Sequence, residues 1–116
     1  MDNKLNIPAS LIPALRIFET ELQAHLTFFD SLDLSSLSAQ LQDENFRSNL
    51  MHRFHTIKGG AGFFSLERIL RSAATAEKLL QKADLTSLDD IASTIASSIK
   101  ELQVAVQELR SLSADT

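Results

Sequence analysis

The sequence predicts an all-α protein, an antiparallel four-helix bundle with an extra short helix near residues 33–42. Three observations carry that expectation. Apolar residues recur three and four positions apart, with neither strict alternation nor β-branched clusters to mark strands. The only prolines are Pro8 and Pro13 and the only glycines are Gly59, Gly60 and Gly62, so most of the chain lacks helix breakers. At 116 residues, 44% hydrophobic and 22% charged, it can build one core but not a second lobe. A single domain over residues 1–116 is expected, with its core at about 10–110 and flexible termini.

The first helix is expected to start near Ser10 as N-cap, with Pro13 tolerated in the first turn. Leu11, Leu15, Phe18, Leu22, Leu26 and Phe29 make its apolar stripe. The serine-rich stretch from Asp30 to Gln42 carries Leu34, Leu37 and Leu41 at a spacing that fits a short helix. A second long helix runs from Asp43 or Glu44, acidic residues suited to the positive end of a helix dipole, through the glycines to Phe64. Ser65 is placed to cap a third, with Leu66, Ile69, Leu70, Ala73, Ala76 and Leu80 on its apolar face. The last helix begins at Thr86 or Ser87. Its residues Leu88, Ile91, Ile95, Ile99, Leu102, Val106 and Leu109 favour a shallow crossing with its neighbours. Residues 113–116 read as a frayed tail.

Composition narrows the function. A net charge of −4 argues against nucleic acid as a partner. The absence of cysteine removes disulfide and thiolate chemistry and fits a reducing cytoplasm. The apolar runs fall far short of the roughly 18 residues of a membrane span, and no basic-then-apolar signal peptide opens the chain. The expectation is a cytoplasmic monomer without membrane insertion.

The chemistry concentrates around His55. Glycine inside a helix costs about 1 kcal/mol relative to alanine, so three in four positions point to a requirement other than folding. Missing side chains let another molecule's backbone approach. At about 100° per residue, Leu50, Phe54, Ile57, Ala61 and Phe64 fall on one stripe, whereas Met51, His52, Lys58, Gly59 and Gly62 lie within roughly 60° of His55 on the opposite face. The imidazole is therefore expected in solvent, with Lys58 one turn on and able to meet an anion on the ring.

Other uses of an exposed histidine fit less well. No cysteine or serine motif accompanies His55 for nucleophilic catalysis, and Lys58 would repel a zinc ion held by His52 and His55. The lysine precedes the glycines, unlike a phosphate-binding loop. Phosphorylation of the ring remains, given an acceptor to orient its other nitrogen and a cation to match the incoming charge. Glu77 lies near the apolar stripe of the third helix, where a carboxylate needs a partner. A hairpin turning near Phe64 and Ser65 would bring Glu77 and His55 to the same level; pairing with Arg53 or Arg71 is the alternative. His25 and His52 are read as solvated.

The run from His55 through Thr56, Ile57, Lys58, Gly59, Gly60, Ala61, Gly62 and Phe63 to Phe64 resembles the signature of histidine phosphotransfer (HPt) domains, most closely those at the N-terminus of chemotaxis-type histidine kinases. The resemblance implies His55 as the phosphorylated residue, Lys58 as its charge partner and Glu77 as the carboxylate on the other ring nitrogen. Two positions depart from the pattern: Ser65 stands where a glycine often ends the motif, and Ala74 where chemotaxis-type domains can carry a second histidine. The implied partners are a response-regulator receiver domain or a histidine kinase, docking over Met51, His52, Thr56, Gly59, Gly62 and Phe63. No cofactor is expected on this chain, Mg²⁺ being expected on the receiver. Nothing resembles a kinase ATP-binding domain, so the expected role is phosphocarrier rather than enzyme. The rival is a helical docking or scaffold module that binds a receiver without carrying phosphate.

Overall fold

The computed structural model describes residues 7–82 and 86–113. Among them are five α-helices: α1 (Ile12–Asp30), the single-turn α2 (Leu37–Gln40), α3 (Glu44–Phe63), α4 (Glu67–Gln81) and α5 (Leu88–Ser113). Short 3-10 turns at Ala9–Leu11 and Leu34–Ser36 precede α1 and α2. The four long helices form the expected bundle, 52 × 21 × 19 Å, and α2 is the extra short helix.

The apolar spacing explains the core. Leu15, Phe18, Leu22, Leu26 and Phe29 of α1 are buried, as are Leu50, Phe54, Ile57 and Ala61 of α3 and Ile69, Ala73, Ala76 and Leu80 of α4. Every stripe residue expected in α5 is buried; Leu11, Leu66 and Leu70 are only half-buried. Two aromatic contacts join α1 to α3 and the turn that follows it: Phe29 stacks on Phe54 with ring centres 5.0 Å apart, and Phe18 meets Phe64 at 5.6 Å. Leu37 and Leu41, at the start of α2 and just after it, are fully buried in the same core.

The helix ends hold the surprises. Of the two acidic residues expected at the start of α3, Glu44 opens the helix and Asp43 caps it, accepting from the Asn45 amide at 2.9 Å, and the Ser87 carbonyl accepts the first α5 bond from Ile91. Ser10, in contrast, lies within the 3-10 turn, and α1 starts after Leu11 without a capping side chain. Ser65 does not cap α4 either. With φ at 56° it takes the left-handed conformation that closes α3, as the Leu66 amide bonds Ala61 O at 2.8 Å and the Ser65 amide bonds Gly62 O at 3.2 Å. Ser113, expected in a frayed tail, is buried: its carbonyl accepts from Arg16 and its hydroxyl donates to Glu19, each at 2.9 Å. Residues 114–116 of that expected tail lie outside the described residues.

Candidate functional site

The α3–α4 hairpin builds the site. Because α3 turns Leu50, Phe54, Ile57 and Ala61 inward, His55 projects from the far face with its side chain 65% exposed. Glu77, on α4, is 4% exposed at the edge of the apolar stripe. Burying a carboxylate is costly unless it is paired, and Glu77 is paired twice. Its Oε2 lies 2.5 Å from His55 Nδ1, and its Oε1 accepts from Lys58 Nζ. The Lys58 hydrogen bond, followed by the weaker influence of His55, holds the Glu77 carboxyl below the ordinary range despite the opposing effect of burial.

A carboxylate can only accept, so Nδ1 carries the proton in this pair, and in the neutral ring the lone pair is then on Nε2, the nitrogen not bonded to Glu77. Neither arginine considered for Glu77 reaches it. Arg53 instead lies 3.9 Å over the Phe28 ring, donates to Asn49 at 3.0 Å and to His25 Nδ1 at 3.1 Å. His25 is therefore not simply solvated: it is half-buried, and desolvation, then the neighbouring Arg53 charge, lower its pKa and favour the neutral ring that accepts this bond. Lys58, expected on the His55 face and able to meet an anion on the ring, is engaged by Glu77 and still 35% exposed.

The glycines divide into two roles. A Cβ on Gly59 or Gly62 would meet nothing within 4 Å, so these two clear the surface beside His55. A Cβ on Gly60 would collide with the Phe18 ring. Packing therefore favours a glycine at position 60, contrary to the expectation, because it lets the Phe18 ring of α1 sit close against α3. The helix continues unbroken through all three glycines to Phe63.

Of the expected docking residues, His52, Thr56, Gly59, Gly62 and Phe63 are exposed and Met51 is half-buried. Phe63 is 65% exposed, edge-on to Phe64. Sequence reasoning missed Ile17, 63% exposed on α1 beside the Phe18 that packs on Gly60. The signal was a large aliphatic residue outside α1's apolar stripe. Charge is also partitioned: α3 and α4 carry six cationic side chains against three carboxylates, whereas α1 and α5 carry three against seven. Among the described residues, no helix is long and apolar enough to cross a membrane.

A family model described as "Hpt domain" matches residues 13–112. Neither the curated proteins nor the solved structures compared contain a match.

Proposed function

Since the chain belongs to the Hpt domain family, we propose that it is a cytoplasmic, monomeric phosphocarrier of a two-component phosphorelay, in which His55 is the residue phosphorylated. The reading rests above all on the Nδ1–Glu77 contact, which leaves Nε2 unencumbered on a surface cleared by Gly59 and Gly62. In this scheme Nε2 attacks the phosphorus of an aspartyl phosphate on a receiver domain. The N–P bond forms as the acyl O–P bond breaks, the aspartate leaves as carboxylate, and the proton on Nδ1 stays with the ring. The ring gains positive charge, which the Glu77 carboxylate offsets. Reversal of the same step delivers the group to another receiver, and a kinase domain is an alternative donor.

Lys58 is assigned a changing role. Before transfer it neutralises Glu77; beside a phosphorylated ring, its partly exposed ammonium is one helical turn away and can turn to the new anion. Mg²⁺ bound by the receiver would supply charge stabilisation at the aspartate. Met51, His52, Thr56 and Phe63 are assigned to the docking surface with the two exposed glycines.

The test is transfer from a panel of phosphorylated receiver domains, followed by acid and base treatment of the labelled protein. Acid-labile, base-stable phosphate is expected on the parent. His55→Gln should keep a native circular dichroism spectrum and accept none. Labelled His55→Gln would move the chemistry to another residue, and receiver binding without any labelling of the parent would favour the scaffold reading.

A further inference from the structure

A polar groove runs along the side of α4 that is turned away from the Glu77 and His55 pair. At about 100° per residue, Arg68, Arg71, Thr75, Lys78 and Lys82 fall within roughly 80° of one another, centred about 140° around the helix from Glu77. Across from this stripe stand Thr94, Ser98 and Glu101 of α5, enclosing a groove of about 460 Å³. A second hollow of about 290 Å³, bounded by Lys78, Leu79 and Lys82, continues it, since Thr75 and Thr94 line both.

Charge along the groove is matched at one end. Arg68 is bound by Glu101 and Glu108. That Arg68 hydrogen bond, then the Arg68 and Arg71 charges, hold the Glu101 carboxyl below the ordinary range. Arg71 thus shares a carboxylate already committed to Arg68, and among the described residues it has none within ion-pair distance. Beyond Glu101 the α5 wall is built of hydroxyls instead. Ser98 is 8% exposed and its side chain makes no hydrogen bond among the described residues, whereas the similarly buried Ser72 bonds Arg68 O at 3.0 Å. No unpaired side-chain nitrogen or oxygen is sealed from solvent among those residues, so the Ser98 hydroxyl opens into the groove it lines. A largely buried donor without a partner, beside a guanidinium without a carboxylate of its own, suits an anion.

We propose that the groove between α4 and α5 binds a phosphate monoester of about nucleotide size, at a site separate from His55. Its head group accepts from the Arg71 guanidinium and from the Ser98 and Thr94 hydroxyls; arginine's planar fork matches phosphate oxygens in pairs. Along α4, Leu79 lies about 12 Å beyond Arg71 at 1.5 Å per residue, so the body of such a ligand reaches the second hollow. There Leu79 offers an apolar surface and Lys78 and Lys82 add positive charge. The volume is that of a small-molecule site and far exceeds what inorganic phosphate fills. No bond is made or broken in the groove.

The experiment is a two-dimensional amide NMR titration of the whole chain at about 0.15 M salt, with adenosine monophosphate, adenosine and inorganic phosphate as probes. The monophosphate should give saturable shifts at the Thr75, Thr94 and Ser98 amides, and each of its two halves should bind at least about tenfold more weakly. Arg71→Gln should weaken binding about tenfold and Ser98→Ala about threefold. Lys100→Gln, exposed on α5 outside the groove, should leave it unchanged. Circular dichroism checks that each variant folds. Equal affinity of Arg71→Gln and the parent, inorganic phosphate bound as tightly as the monophosphate, or shifts centred on His55 would each overturn the proposal. None of these outcomes bears on phosphotransfer, which is read from labelling of His55.

Discussion

Gly59, Gly60 and Gly62 look alike in sequence and do opposite things in the fold. Replacing Gly59 or Gly62 with alanine adds a methyl group to open space, so the usual helix preference should stabilise each variant by about 0.5–1 kcal/mol. Gly60→Ala should instead destabilise by about 1–2 kcal/mol, because displacing the Phe18 ring outweighs the gain in helix propensity. Urea midpoints of the three variants check this, and a gain for Gly60→Ala would show that α1 shifts freely. The distinction was partly legible beforehand. Gly60 lies about 140° around the helix from His55, well off the exposed face, but nothing in the spacing identified Phe18 as the ring above it. His55 and Glu77 were legible because a buried carboxylate needs a partner at its own level. The second bond, from Lys58, was not, since a long flexible side chain samples many directions.

Between helices, the α3–α4 pair carries both strain and charge. Left-handed backbone costs a non-glycine residue about 1 kcal/mol or more, so Ser65→Gly should raise stability by about 0.5–1 kcal/mol and lift the melting midpoint. A lower midpoint would mean that the serine side chain supports the turn. The Glu77 pairings make the same hairpin sensitive to acid. Its carboxyl is held below the ordinary range, so the stability it contributes is complete above that range and lost as pH falls through the lowered pKa. Urea midpoints taken from about pH 6 to about pH 3 should therefore fall more steeply for the parent than for Glu77→Gln. Parallel curves would show that Glu77 titrates as it does in the unfolded chain. Helix identity and facing were readable throughout because apolar period dictates both. The roles of Ser10 and Ser65 were misread because a cap depends on local φ and ψ, which the presence of a serine does not determine.

Across the whole molecule, the bundle follows from four amphipathic stretches and short connections, and that much the period of the sequence contains. The clasp of Arg16 and Glu19 on Ser113 joins opposite ends of the described chain, and no local pattern announces a contact at such range. The site lies at the other extreme. His55 and Glu77 are separated by only 22 positions, across the tight turn that Ser65 closes. Closing so short a loop costs little chain entropy, so this hairpin should organise before α1 is fastened to α5. Pulsed hydrogen exchange during refolding should find α3 and α4 amides protected ahead of those in α1; simultaneous protection would show that the hairpin needs the whole bundle. Early closure would also matter during synthesis: the histidine and the carboxylate that orients it would emerge from the ribosome close together, and the pair would take shape before the last helix had left the exit tunnel.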